Sequence, residues 1–389
     1  SEEKLDNLKA AYKKKVFTYF NKGLAQQDAS ELISWDFINS LLWRSRITPP
    51  RIRLVKEDID VKETLYFYPT TNRRGEKVFR ISEKELYKQI QNGATLIINS
   101  IDELHPELER FVEKLETEFQ TPIEVNAYIS WKNSPGFKTH WDGHDVFVIQ
   151  IHGKKDWFIF EDPVNKPTYQ DYKLNLSPPT RIKWNEAIES GDVLYIPRGV
   201  WHHAVAFNEP SLHLTFGLTS IVGSHFISWM ANKLYSQEAF RKDISLLYEE
   251  EELNAHYNLL SETVLNFFKS TNFNSFLSEF LSNTPNRTKF SLPYIGDTSI
   301  SNITENSQIG VNSRFLTFNI IDENEVEFNS MAKHYKYPII FKTIYKILQK
   351  KSLAPFSELH KEIRSKIKRE ALKSLIERAV EEGILYVKI

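Results

Sequence analysis

Between residues 123 and 218 the chain breaks into short runs of β-branched and aromatic residues, separated by clusters of Gly, Pro, Asn and Asp. The runs are Ile123–Trp131, Val146–Ile151, Trp157–Phe160, Arg181–Trp184, Val193–Ile196, Trp201–Phe207 and Leu212–Leu218. Short strands at this spacing predict an antiparallel double-sheet barrel of the jelly-roll or cupin kind, hence a mainly β core with helical additions. Such a barrel has a mouth in which side chains from several strands converge.

One stretch inside this region carries chemistry. In Phe137–Glu161, strand alternation would put His140 and Asp142 on one side with Trp141 turned away. With 11 His and 51 acidic residues in 389, a His-x-Asp/Glu triplet arises by chance about 1.4 times, so context must decide. His105-Pro-Glu107 opens a helical pattern, and His360-Lys-Glu362 sits in a charged helical segment where residues two apart do not face each other. Only His140-Trp-Asp142 leads into a β-branched run. His202, just past the Pro197-Arg-Gly199 turn, can complete a two-His, one-carboxylate face, which suits non-haem Fe(II) and leaves positions open for a cosubstrate and O2. His202 and His203 are neighbours, so on a strand they face opposite sides and one alone can reach a metal. His144, His152 and His213 read as structural histidines, with His213 on a returning strand from which it can line the pocket.

The residues His140-x-Asp142, Gly153-Lys-Lys-Asp-Trp157 and Gly191-Asp-Val-Leu-Tyr-Ile-Pro-Arg-Gly-Val-Trp-His202 resemble the Jumonji-C 2-oxoglutarate oxygenases. The likeness, from about Glu124 to Leu218, is in particular to the ribosomal-protein hydroxylase branch, with its bacterial arginine and eukaryotic histidine hydroxylases. The resemblance implies Fe(II) held by His140, Asp142 and His202, and selects His202 over His203. It implies that Lys155, fifteen positions after His140, grips the distal carboxylate of 2-oxoglutarate. Lysine rather than arginine there is similar to the histidine-hydroxylating enzymes. Asn126 falls where related enzymes place an Asn near the cosubstrate.

The implied activity is hydroxylation of an amino-acid side chain in a protein or peptide, with O2 as second cosubstrate and succinate and CO2 released. A ribosomal protein is favoured as substrate, and a natural-product precursor peptide stays open. N-methyl-lysine demethylation uses the same iron chemistry and is an alternative. A non-catalytic cupin or winged-helix binding protein is disfavoured, because all three ligands and the lysine are present.

Composition bounds the rest. At 389 residues, 41% apolar, the chain has room for two or three domains with a substantial core. Fifty basic against fifty-one acidic residues give no global field toward nucleic acid or membrane. The absence of cysteine excludes thiolate zinc sites, Fe–S clusters, disulfides and Cys nucleophiles, so His and carboxylates must supply any metal site. No signal-like segment opens the chain, and no apolar run approaches the ~18 residues of a membrane span, so a soluble, cytoplasmic protein is expected.

Helical patterns cover Glu2 to about Leu24, with Lys13–Lys15 read as a solvated face, Ser34–Trp43, a helix opened by the Ser82-Glu-Lys-Glu85 capping box, and Asp102–Phe119. Arg51–Tyr68 reads as extended and Ala94–Ile98 as a buried strand. Residues 1–220 are the expected catalytic domain. Residues 221–312 are expected to be a helical dimerisation segment, forming a homodimer, with Thr284–Asn312 as linker; its row of Phe226, Trp229, Met230 and Leu234 reads as core. Residues 313–389 follow the helix, helix, helix, strand order of a winged helix. From Pro338 to Ile389 twelve Lys or Arg face six Asp or Glu, and Lys366-Ile-Lys-Arg369 can contact phosphates or an acidic peptide. The preferred reading is an exposed face of mixed charge, so a nucleic-acid partner stays open.

Overall fold

Alternation of apolar side chains on both faces of the long strands dictates a sheet covered on both sides, by helices on one and a second sheet on the other. The computed structural model describes residues 2–44, 47–132, 136–174, 176–284, 288–292, 303–331 and 333–388. Two compact units divide the chain, Ser1–Ser220 and Ile221–Ile389.

The strands of the first unit are β1 (Thr18–Phe20), β2 (Ile52–Lys56), β3 (Ile59–Asp60), β4 (Phe67–Thr71), β5 (Lys77–Ile81), β6 (Thr95–Ile98), β7 (Ile123–Ser130), β8 (Asp145–His152), β9 (Lys154–Phe160), β10 (Ile182–Glu189), β11 (Val193–Ile196), β12 (His202–Ala206) and β13 (Ser211–Leu218). Its helices are α1 (Glu2–Lys14), α2 (Gln26–Leu32), α3 (Trp35–Arg44), α4 (Glu83–Gln91) and α5 (Pro106–Phe119). The major sheet runs β1-β11-β8-β13-β7-β6-β2-β3 and the minor sheet β10-β9-β12, every pairing antiparallel.

On β8, Phe147, Ile149 and Ile151 join the core shared with α2 and α5. The alternate residues Val146 and Val148 instead pack with Trp157 and Ile159 of β9 and Leu194 and Ile196 of β11, filling the space between the sheets. A one-residue slip would exchange the two sets, so the double burial fixes the register. That register decides which polar residues enter the barrel: Asn126 and Tyr128 on β7, Lys155 on β9, His213 and Thr215 on β13.

Three local expectations change. The helix read to Leu24 stops at Lys14, where Lys15 turns to a φ of 53°, and β1 follows on the sheet edge beside β11. Burial decides this: Phe17 and Tyr19 both pack on Trp184, a contact that a continued helix would lose. Lys13, Lys14 and Lys15 are exposed, as a solvated face requires, and Lys15 in addition reaches the buried Asp145 with its Nζ at 2.6 Å. Gly153-Lys-Lys-Asp156, a glycine followed by polar residues between two apolar runs, predicts a turn, and in the structure only Gly153 turns, its φ of 66° and approach to the Pro210 carbonyl admitting no side chain. Lys155 therefore lies on a strand. The helix expected from Asp102 begins at Pro106, with His105 as its N-cap accepting from the Leu108 N–H at 3.2 Å, which gives the His105-x-Glu107 triplet a capping role.

The second unit starts with α6 (Gly223–Leu234), α7 (Glu238–Arg241), α8 (Glu250–Ser270) and α9 (Phe273–Ser282). Phe226 contacts Phe268, Phe273 and Phe276, so the aromatic row is core. Then come β14 (Gln308–Val311), β15 (Asn319–Ile320), β16 (Glu325–Ser330), β17 (Lys333–Pro338), α10 (Ile340–Lys351), β18 (Leu353–Pro355), α11 (Phe356–Ile363), α12 (Arg369–Glu381) and β19 (Leu385–Lys388). The expected linker Thr284–Asn312 falls partly outside the described residues, and its end is β14, the centre of a β18-β14-β19 sheet. No compact unit ends at 312, because Ile309 packs into the same core as Phe341 and Leu372. Among the described residues no helix is long and apolar enough to cross a membrane.

Candidate active site

His140 and His202 meet across a single antiparallel bridge. The His140 N–H donates to the His202 carbonyl at 3.0 Å and the His202 N–H to the His140 carbonyl at 2.7 Å. Residues paired in this way project from one face, and the two rings lie 4.4 Å apart. Each ring is oriented by its own backbone: His140 Nδ1 bonds the Lys138 carbonyl at 2.8 Å and His202 Nδ1 the Val200 carbonyl at 2.9 Å. With Nδ1 as donor in both, the two Nε2 atoms carry free lone pairs, the tautomer a metal requires.

Asp142 completes the group. One of its carboxylate oxygens lies 3.6 Å from His202 Nε2, and ligand atoms of all three residues fall within 4.8 Å of one another. The expectation that His140 and Asp142 would share a strand is replaced by a bridge followed by a loop. Trp141 stacks on Tyr172 at 4.6 Å, while the Asp142 carbonyl is held by the Gly199 N–H at 2.8 Å. Gly199 has a φ of 82°, and a Cβ there would lie 2.1 Å from the Val164 carbonyl oxygen, so glycine is required where the chain turns into β12. Asp145 ties the same turn down, accepting from the Arg198 N–H at 3.3 Å and the Tyr195 hydroxyl at 2.9 Å.

Electrostatics suit a cation. Burial and the neighbouring His140 push His202 down to about 4 against the opposing pull of Asp142, so the imidazole is neutral near pH 7. Burial would raise the Asp142 carboxyl, but His202, His140 and His144 together hold it below its usual value, so it is ionised. Two imidazoles and one carboxylate, with no thiolate in the chain, form a donor set that fits Fe(II) and leaves part of the coordination sphere open.

The segment 97–225 matches the family model of the JmjC domain. This part of the chain is a JmjC domain. YcfD, a ribosomal oxygenase from Escherichia coli, has a solved structure similar to this one at a TM-score of 0.63 and 17% identity, over 96% of this chain and 95% of that one. At that identity the likeness establishes the fold, a mainly-sheet cupin core with helices. YcfD has also been solved in complex with cobalt and 2-oxoglutarate. The uncharacterized protein YxbC of Bacillus subtilis is 26% identical over 212 residues, 48% of this chain and 64% of that protein. The bifunctional lysine-specific demethylase and histidyl-hydroxylase NO66 of Dictyostelium discoideum is 28% identical over 167 residues, 41% of this chain and 31% of that protein. The chain thus spans under two thirds of these curated relatives.

The three histidine and aspartate side chains of the JmjC domain open onto a cavity of about 280 Å³, and Lys155 lines the same cavity. Lys155 is 5% exposed, and burial alone pushes its ammonium down to about 7, with no carboxylate among the described residues offsetting the cost. A lone buried cation of this kind is built for an incoming anion. The pairing of β12 with β9 sets His202 opposite Ile159 and His203 opposite Phe158. His202 accordingly enters the barrel, while His203 turns outward, stacks on Phe158 at 4.5 Å and bonds the Thr139 hydroxyl at 2.9 Å. Asn126 is spoken for: its Oδ1 accepts from the Ser100 N–H at 2.9 Å, and the cavity wall beside it is made by Tyr128 and Thr215.

Sequence reasoning missed Tyr128, Arg53, Phe137 and Tyr172, all of which line the JmjC cavity. Tyr128 was within reach, being two residues from Asn126 on the same strand face. Its hydroxyl is pushed up to about 12, first by burial and then by the Asp142 charge. Arg53 comes from β2, far back in the chain, and Tyr172 from a short 3-10 helix between β9 and β10, where no local pattern marks them.

Proposed function

We propose that the chain is an Fe(II)- and 2-oxoglutarate-dependent oxygenase that hydroxylates an amino-acid side chain in a protein or peptide. The observation that carries this reading is the buried, anion-seeking Lys155 in the same cavity as the His140, Asp142 and His202 ligand set. Bound Fe(II), with 2-oxoglutarate and O2, supplies the oxidation of a substrate C–H bond to an alcohol, with succinate and CO2 as co-products. His140, Asp142 and His202 hold the metal. Lys155 fixes the far carboxylate of 2-oxoglutarate by a charge-assisted hydrogen bond, its stem lying along the Trp157 side of β9. Phe137, Trp141 and Tyr172 crowd the ligand set with aromatic surface, which limits water around the reacting centre.

A ribosomal protein is the favoured substrate, supported by YcfD being a ribosomal oxygenase, while NO66, a demethylase and histidyl-hydroxylase, supports both hydroxylation and its demethylase alternative. The exposed apolar residues of α6 to α9 support a homodimer, and the helix and strand order from α10 to β19 supports a winged-helix tail. Incubation of the Fe(II)-loaded protein with ribosomal proteins, followed by mass spectrometry, tests the reading. A gain of one oxygen that depends on 2-oxoglutarate is expected. Loss of CH2 from methylated lysine would move the reaction to demethylation, and absence of Fe(II)-dependent succinate formation with every peptide would reject catalysis.

A further inference from the structure

The hairpin of β4 and β5 carries Arg73, Arg74, Lys77 and Arg80 against one acidic residue, Glu76, a local charge of +3 in a chain whose net charge is −1. The Glu76 carboxylate is occupied by the Asn72 side-chain amide at 2.6 Å, and none of the four cations has an ion-pair partner among the described residues. The turn is fixed, with Asn72 Oδ1 accepting from the N–H groups of Arg74 and Glu76 at 2.9 and 3.0 Å. From Asn72 to Glu76 it holds no apolar side chain, so it is not built to enter a lipid surface. Beside the hairpin, α3 and α4 complete a groove of about 580 Å³. Trp43, Tyr68, Phe79 and Tyr87 line it, exposed at 69%, 47%, 47% and 52%. One exposed ring is ordinary, but four around one groove are not. Among the described residues no two of these rings stack on each other, so their faces are free for a partner. Arg44 lies over Trp43 at 4.9 Å and Lys77 over Phe79 at 5.4 Å, which puts charge beside the rings. The one acid in the groove wall, Glu83, accepts from the Tyr87 hydroxyl at 2.9 Å.

Free ring faces beside unpaired cations match the chemistry of a nucleic-acid strand, whose bases offer flat surfaces for stacking and whose phosphodiesters offer negative charge. An acidic peptide would engage the cations but give the rings nothing flat to meet, and a duplex hides its base faces. We propose that the groove between the β4–β5 hairpin, α3 and α4 binds a single strand of RNA or DNA, with bases stacked on its four rings and phosphates held by the four cations of the hairpin. This groove shares no lining residue with the cavity of His140, Asp142 and His202. It is therefore a docking surface separate from the reacting centre, and it does not depend on the oxygenase reading.

The full chain is titrated by fluorescence anisotropy against a labelled oligoadenylate of about 12 nucleotides, made as RNA and as DNA, a length within the site sizes of such grooves. Binding of either supports the proposal, and the ratio of the two affinities names the source of the strand. With four phosphate contacts, log K should fall against log salt with a slope of roughly −3. Trp43→Ala and Phe79→Ala should each weaken binding ~5- to 150-fold, the range for one lost base stack. Arg73→Gln combined with Arg74→Gln should make the salt slope shallower by roughly 1.4. All four positions are exposed, and unchanged Mn(II) affinity shows that the first unit of each variant is folded. Lys366→Gln combined with Lys368→Gln, in the basic run of the second unit, should leave binding unchanged. A loss there with none in the hairpin and ring variants would move the strand to the tail and overturn the proposal. Tighter binding of the corresponding duplex, of an oligoglutamate peptide or of phosphatidylserine vesicles would overturn it too, as would no binding of either oligoadenylate.

Discussion

His140 and His202 exchange both of their backbone hydrogen bonds, at 3.0 and 2.7 Å, so the contact that closes the barrel mouth is also the contact that pairs two metal ligands. The ligand rings are placed by main-chain geometry and oriented by main-chain carbonyls, which leaves little rotamer freedom to lose when a metal binds.

This pairing separates His202 from its neighbour. His202→Ala removes an inward ligand and should lower Mn(II) affinity by about 100-fold or more, since loss of mere supporting groups around a metal already costs about 10- to 100-fold. His203→Ala removes only a stack on Phe158 and a bond to Thr139, so it should cost about 1 kcal/mol of stability and leave Mn(II) binding intact. Titration by electron paramagnetic resonance decides, and the opposite ranking would mean that β12 is shifted by one residue.

Lys155 is held at a cost to the fold. Burial pushes its ammonium to about 7 with no partner carboxylate among the described residues, so replacing it with the apolar, similarly shaped methionine should stabilise the protein while removing its cosubstrate. Lys155→Met should raise the Tm of the first unit, Ser1–Ser220, by about 2–4 °C, corresponding to roughly 1 kcal/mol in a unit of that size. Affinity for 2-oxoglutarate should fall ~10- to 100-fold with it. A variant that loses stability would show that Lys155 has a structural partner.

The same lysine makes cosubstrate binding a proton-linked event. At pH 8 the free protein holds Lys155 largely neutral, whereas a bound carboxylate favours the charged form, so binding should take up close to one proton. At pH 6 the ammonium is already charged and uptake should vanish. Calorimetry in two buffers of different ionisation enthalpy measures the difference, and zero uptake at pH 8 would argue against Lys155 as the anion's partner.

Much of this site is legible in the amino-acid sequence, for physical reasons that also explain what is not. The set His140, Asp142 and His202 can be read because strand period and turn residues constrain neighbours along the chain. Choosing between His202 and His203 on physical grounds needs the cross-strand register, which is a property of β9 and β12 together and of neither alone. Lys155 lines the cavity from a strand yet reads as part of a turn, because Gly153 marks a turn without saying how short it is. The helical pattern of Glu2–Leu24 fails at Lys15 because burial of Phe17 and Tyr19 against Trp184 outweighs local periodicity. The linker pattern fails at Gln308–Val311 because β14 is defined by partners as distant as Leu385–Lys388, which a polar local composition cannot reveal.

Acid should loosen the metal-free protein. His105, His152, His202, His203 and His213 all have pKa values lowered by burial, so the folded state excludes protons that the unfolded chain binds. For such groups stability is complete above the ordinary histidine value of about 6.5 and is lost as pH falls toward the folded value, about 4 for His202. Denaturant melts between pH 7 and 5 should show this fall, with each excluded proton contributing up to ~1.4 kcal/mol per pH unit. His202→Leu should flatten the slope by about one proton's share, and an unchanged slope would place His202 in water.

The second unit supplies the last test. Along α6 to α9 the chain leaves Tyr235, Ile244, Leu246, Leu247 and Tyr257 largely in solvent, with Leu246 fully exposed at 101% and Leu247 at 91%. A solitary exposed leucine is ordinary, but two adjacent ones standing clear of the surface beside further apolar side chains are what a partner copy would cover. The proposed homodimer should therefore appear as twice the chain mass in light scattering at micromolar concentration. Leu246→Glu combined with Leu247→Glu places two carboxylates in that contact and should halve the mass. Mn(II) binding should be unchanged in the double variant, because its ligands all belong to the first unit. A wild-type protein of single-chain mass would rule the dimer out.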